Sequence, residues 1–172
     1  VSDSSKEGRG TAPSKTKGDS MYLRVDDRLV HGQVVTAWVK QLKTKRIIVV
    51  DDGPAANKFV GKALKLAAPS GVDLRLVTVE RIAGALTKDT PYILVIAKYP
   101  VVAEKIVRSN PEVAWNVNIG NVGSAEGRQT YADTVHLDEE NYTAVKAMAA
   151  LPNVDIYMQT VPGQPINRFP TE

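Results

Sequence analysis

Arg46–Asp51, RIIVVD, is a nearly continuous run of β-branched apolar residues closed by an aspartate. A strand with one wet face alternates polar and apolar residues. A run without alternation suits a strand covered on both faces, as in parallel sheets flanked by helices. Just beyond it, Ala55–Ala68 sets Phe59, Ala63, Leu64 and Ala67 on one side at helical spacing. The pairing repeats outward in both directions. Upstream, Tyr22–Asp26 reads as a strand and about Gly32–Leu42 as a helix. Downstream come a strand over Leu74–Val79, a short helix over Glu80–Leu86, a buried strand over Tyr92–Ala97 (YILVIA) and a helix over about Val101–Ser109. Trp115–Ile119 is a fifth strand and Thr134–Leu137 a sixth. Asp138 then caps a helix over Glu139–Ala150, and Val154–Thr160 closes as the last strand. This alternation predicts an α/β fold: one domain with a mainly parallel central sheet of about six to seven strands and helices on both faces. Ligands in such folds sit beyond the carboxyl ends of the strands, so functional residues belong just after Asp26, Asp51, Ala97 and Ile119.

Composition narrows the possibilities. At 172 residues, with 43% hydrophobic and 24% charged, the chain has the balance of one globular domain. It has no cysteine, which excludes disulfides, thiolate metal sites and cysteine nucleophiles, and suits a reducing, cytoplasmic setting. The 22 Lys+Arg and 19 Asp+Glu give a net charge of +3 and alternate along the chain, so no basic face for nucleic acid is implied. No window approaches the roughly 18 apolar residues that span a bilayer. Residues 1–20 contain no Leu, Ile, Phe, Tyr or Trp and are expected to be disordered: either a leader or tag before a natural start at Met21, or a linker from an upstream domain. The domain is expected over 21–165, with a tail over 166–172.

The densest chemistry lies in Arg24–Val34, RVDDRLVHGQV, where the first strand turns into the first helix. Two arginines, two aspartates, a histidine, a glycine and a glutamine share one turn. Such a turn directs backbone N–H groups and a helix N-terminus toward the ligand side, which favours anions. Arginine adds fixed charge and donors matched to phosphate oxygens. His31 titrates near neutrality and suits a nucleophile or general base. A carboxylate such as Asp26 or Asp27 would hold one ring nitrogen and leave the other free. Gly32 would let a tetrahedral group approach the backbone closely. The bland alternative is a capping histidine beside an ordinary ion-pair cluster, each pair of small value.

The same residues closely resemble the signature of phosphotransferase-system IIB subunits of the mannose/fructose/sorbose family, R-[IV]-D-[DE]-R-[LIF]-[IV]-H-G-Q. The likeness extends to Arg46–Asp52 (RIIVVDD), Ala67–Gly71 (AAPSG), Val117–Gly120 (VNIG) and His136–Asp138, and so covers about Met21–Thr160. It implies a protein-N(pi)-phosphohistidine–sugar phosphotransferase. His31 would take a phosphoryl group from a phosphohistidine on IIA and pass it to a sugar presented by the membrane subunits IIC and IID. By the same match Arg24 and Arg28 would hold phosphoryl oxygens, Asp26 would orient the imidazole, and Gln33 and Gly120 would offer further donors. Asp27, Asp51 and Lys98 would line the cleft. The implied protein is cytoplasmic and docks transiently at its permease. The sequence departs from the family at Lys98-Tyr99-Pro100, at Asn121-Val122-Gly123 and in its tail VPGQPINRFPTE, features that bear on sugar and docking more than on phosphate chemistry.

In-line phosphoryl transfer asks a protein for positioning and charge stabilisation, which guanidinium groups supply. No cofactor or metal is implied, and the sequence carries neither a Walker loop nor G-x-G-x-x-G. A response-regulator receiver built on Asp51 and Asp52 is disfavoured, because the fourth strand ends in Lys98 where an aspartate is needed. A phosphocarrier-like regulatory module would keep the same histidine and arginines; neighbouring IIA, IIC and IID subunits would mark transport instead. His136, Trp38 and Trp115 read as strand and packing residues.

Overall fold

A computed structural model describes residues 20–55, 58–86 and 93–170. The expected leader, apart from Ser20, and the start of the fourth strand at Tyr92 lie outside that range. β1 (Ser20–Asp26) leads through α1 (Gly32–Leu42) to β2 (Arg46–Val50). The short α2 (Asp52–Ala55) and α3 (Lys58–Ala67) precede β3 (Asp73–Val77). A 3₁₀ turn at Val79–Arg81 runs into α4 (Ile82–Ala85), then come β4 (Ile93–Ala97) and α5 (Pro100–Ser109). β5 (Ala114–Asn121) follows, then β6 (Gln129–Ala132), β7 (Val135–Leu137), α6 (Glu139–Ala149) and β8 (Val154–Tyr157).

Six strands form one sheet in the order β3-β2-β4-β1-β5-β8, and every pairing in it is parallel. Burial explains the unbroken apolar runs: Ile47 to Val50 and Ile93 to Ala97 are all buried because helices cover both faces. On one face Leu23, Val25, Ile48, Val50, Val95 and Val117 pack with Ile82 of α4, Ile106 of α5 and Val145 and Met148 of α6. On the other, Ile47, Val49, Leu94 and Ile96 pack with Val35 and Trp38 of α1 and with Leu64 of α3.

The expected sixth strand is corrected. Val135–Leu137 leaves the parallel sheet and pairs antiparallel with Gln129–Ala132, in a ribbon set against the end of β5 through Val122 and Val135. Its partner opens with exposed Gln129 and Thr130, and only Tyr131 and Ala132 pack on the core, too short a pattern to read as a strand. The last strand is also shorter than expected. After Tyr157 the chain turns back, and Met158 exchanges both backbone hydrogen bonds with Asn167, at 2.8 and 2.9 Å.

This topology places the site. The chain leaves β1 for α1 on one face, whereas β4 leads to α5 on the opposite face. The two turns part above β1 and its neighbours, which opens a crevice at the carboxyl edge of the sheet.

Candidate functional site

The Asp26–Gly32 turn is shaped by a bulge. β1 and β5 stay in register to Val25 opposite Ile119, then Asp26 faces Asn121 and Gly120 is skipped. The Asp27 amide donates to the Asn121 carbonyl, and the Leu29 amide to the Asp26 carbonyl, both at 3.0 Å. Leu29 holds φ +57°, an uncommon conformation for a branched side chain. What keeps it there is burial, since Leu29 and Val30 are 8% and 6% exposed and join the α1-side core. With those two side chains anchored inward, Arg28 and His31 on either side are displayed outward.

His31 occupies the N-cap of α1 with extended backbone (φ −143°, ψ 114°), and its side chain makes no capping bond. The ring is exposed and, among the described residues, without a hydrogen-bond partner. No acidic residue stands in the first turn of α1, so the positive end of the helix dipole is not neutralised there. Gly32 follows at φ +46°, and a Cβ built on it meets nothing within 4 Å. The approach to the ring is therefore open.

The same turn holds a carboxylate gripped by two arginines. Asp26, 1% exposed, accepts from the Arg28 amide (3.0 Å), Arg28 Nε (3.1 Å) and Arg28 Nη2 (3.1 Å), and from Arg24 Nη2 (3.3 Å). The Arg28 side chain is 35% exposed, and its hydrogen bonds to Asp26 raise its pKa further above the usual arginine value. Its Nη1 is free of partners among the described residues. Arg24 is 2% exposed; Nη1 donates to the Gln159 carbonyl at 3.0 Å, and the guanidinium carbon sits 5.6 Å from the Trp38 ring centre. Burial pulls the Arg24 pKa down, opposed by the adjacent Asp26. Its Nε is buried without a partner, an arrangement that costs about 1–3 kcal/mol.

Several expected roles change. Asp26 does not hold the imidazole, because its hydrogen bonds go to the arginines. Asp27 does not hold it either: its Oδ1 accepts from Asn121 Nδ2 and its Oδ2 from the Gly123 amide, both at 2.8 Å. Arg24 lies beneath the site, too deep to touch a bound phosphoryl group, and supports Asp26 from below. Gly120 lies buried in β5, its carbonyl accepting from Thr134 Oγ1 at 2.8 Å. The Arg24 guanidinium fills the space where a Gly120 side chain would be, so this glycine leaves room for the arginine. The Gln33 side chain lies outside the described residues. Asp51 sits at the end of β2, one strand beyond β4, with Oδ1 accepting from the Gly53 amide at 3.0 Å. That is roughly 9–10 Å from β1 across the sheet, so Asp51 shapes its own turn rather than the His31 crevice. Lys98 ends β4, beside β1, with its Nζ 5.8 Å from the Tyr99 ring centre.

Three residues the motif did not single out belong to the surroundings. Arg128 lies 5.7 Å from the other cation's ring, Tyr99, and donates to the Gly123 carbonyl at 2.7 Å. Asn118 and Gln159 fix the buried end of Arg24. Asn118 stands on β5 within the Val117–Gly120 stretch, whereas Arg128 and Gln159 lie in loops after β5 and β8 that carry no motif, so only fold position could have found those two. His136 is on β7, its Nδ1 2.8 Å from Thr130 Oγ1, away from the turn.

The arrangement is an exposed imidazole at a helix N-terminus, three residues after an exposed guanidinium that Asp26 holds by two hydrogen bonds. Residues 20–169 match the family described as PTS system sorbose subfamily IIB component. The chain is 28% identical over 158 residues to the N-acetylgalactosamine-specific phosphotransferase enzyme IIB component 1 of Escherichia coli (strain K12), covering 90% of this chain and 99% of that one. It is 30% identical over 146 residues to the PTS system mannose-specific EIIAB component of the same strain, covering 80% of this chain but 45% of that longer one. The crystal structure of the N-acetylgalactosamine-specific IIB component 1 from Escherichia coli superposes with a TM-score of 0.80 at 26% identity, covering 88% of this chain and all of that one.

Proposed function

The chain belongs to the sorbose subfamily of phosphotransferase-system IIB components, sugar phosphotransferase subunits, and on that premise we propose that His31 is the residue that carries the phosphoryl group. One imidazole nitrogen of His31 attacks the phosphorus of a phosphohistidine on the IIA partner. The N–P bond to His31 forms as the bond to the donor nitrogen breaks. In the second half-reaction a sugar hydroxyl delivered by IIC and IID attacks the same phosphorus as the P–N bond to His31 breaks, and the hydroxyl proton passes to the departing ring nitrogen, so that His31 leaves as neutral imidazole. Arg28 and the first N–H groups of α1 neutralise the equatorial oxygens in both steps. Asp26 keeps Arg28 in place, and Arg24 bonds Asp26 from below. Lys98, on the neighbouring strand end, adds positive charge to the rim, and Gln33 a further donor.

One observation carries this reading: an exposed His31 ring at the N-terminus of α1, without a hydrogen-bond partner among the described residues, three residues after an Arg28 held through Nε and Nη2 by the two Asp26 oxygens. None of the described helices is long and apolar enough to cross a membrane. We place the subunit in the cytoplasm, docking transiently at its membrane partners. Incubation with phosphorylated IIA should give acid-labile phosphate on His31, and His31→Ala should abolish it. Undiminished label in that variant, or label on His136, would exclude the assignment.

A further inference from the structure

β1 has an apolar face, Leu23 and Val25, and a polar one, Tyr22, Arg24 and Asp26. Opposite them on β5 stand Asn116 and Asn118, both nearly buried, with Arg24 directly paired to Asn118 across the ladder. A buried Arg–Asp pair is a poor device for stability alone, since apolar residues of like volume do as well or better. Its retention here asks what the stripe holds in place.

Asn118 Nδ2 donates to the Gln159 carbonyl and Asn118 Oδ1 accepts from the Gln159 amide, both at 2.9 Å. Gln159 lies two residues past the end of β8, so one side-chain amide replaces the strand ladder there and pins a backbone that has left the sheet. The same carbonyl accepts from Arg24 Nη1 at 3.0 Å. Gln159 Nε2 donates to the Gln164 carbonyl at 2.8 Å, closing the turn that carries it. From Arg24 the chain of bonds runs to Asp26 and on to Arg28, the first exposed member.

We propose that Asn118 is a positioning residue for phosphoryl transfer: through the Gln159 carbonyl it sets Arg24, which sets Asp26, which holds Arg28 beside His31. The inference rests on His31 being the phosphoryl carrier and adds a residue that touches neither phosphate nor sugar.

The test is single-turnover transfer from phosphorylated IIA to the full chain, with the thermal midpoint measured in parallel. Asn118→Leu should slow transfer per folded molecule about tenfold or more. In an Arg24→Met background the same change should add almost nothing, because its route is already cut. Asn118→Asp keeps the acceptor for the Gln159 amide, so it serves if the leucine variant does not fold. It loses the donor and sets a competing carboxylate beside Arg24, and it should also slow transfer. The ³¹P resonance of phosphohistidine should shift in each slowed single variant, which a purely structural role would not produce. Wild-type rates in the folded variants, or slowing that multiplies with Arg24→Met, would overturn the inference and leave the His31 assignment standing. Absence of label from His31 in the unaltered chain would overturn both.

Discussion

Arg28 is the exposed end of an otherwise buried ionic cluster, and the proposed transfer turns on it. Arg28→Ala should slow phosphoryl transfer roughly 100-fold or more, the scale of losing a preorganised charge donor. Stability should fall only about 1–2 kcal/mol, since Arg24 still pairs with Asp26. Arg28→Lys keeps the charge but not the forked grip on both Asp26 oxygens, and should also be slow; quenched-flow rates beside denaturant melts separate the two effects. Gly120→Ala tests the layer beneath. A methyl there overlaps the Arg24 guanidinium, so the variant should lose about 1–3 kcal/mol by thermal or chemical unfolding and transfer slowly as well. A variant as stable and fast as the parent would contradict the packing described for Arg24. At this scale the motif disclosed which residue types gather at the turn but not their division of labour. Asp26 sits two residues from Arg28 and five from His31, and that spacing did not reveal that its oxygens meet guanidinium rather than imidazole.

Among the elements, α6 offers a clean pH experiment. Asp138 caps it by accepting from the Asn141 amide at 2.8 Å, and that bond, the largest influence, lowers its pKa below the ordinary 3.8. A carboxyl depressed in the folded state contributes stability above its unfolded pKa and loses it as pH falls through the folded value. Asp138→Ala should therefore cost about 1 kcal/mol at neutral pH. The difference between variant and parent should shrink progressively below about pH 4, as read from urea midpoints at several pH values. A difference constant down to pH 2 would show that the cap acts without its charge. The aspartate before a helical pattern was legible in the sequence, as were the strands that are apolar throughout. β6 was not: in Gln129-Thr-Tyr-Ala132 only Tyr131 and Ala132 pack on the core, too short a pattern to read as a strand, and pairing with β7 completes it.

For the whole molecule, sheet order and tail decide what the turn can do. Alternating strands and helices in the sequence implied a parallel sheet and a ligand edge at its carboxyl end, and that is where Arg28 and His31 stand. Order within the sheet was not readable, so Asp51 looked like a neighbour of His31 when β4 lies between their strands. The tail was equally opaque: its residues suggest no helix, and its role is tertiary. Met158 pairs with Asn167, Arg168 bonds Asp155 at 2.6 Å, and Phe169 packs on Tyr131. Ending the chain after Gln164 should lower the thermal midpoint by several degrees, roughly 2–4 °C per kcal/mol lost for a domain of this size. It should slow transfer too, because the Gln159 turn loses its outer support. An unchanged midpoint would mean the returning segment is not part of the folded unit.

The most direct measurement is ³¹P NMR of the chain after reaction with phosphorylated IIA. The account predicts one phosphohistidine resonance that persists in His136→Gln, vanishes in His31→Gln and shifts in Arg28→Lys. A resonance that survives His31→Gln, or one indifferent to Arg28, would contradict it.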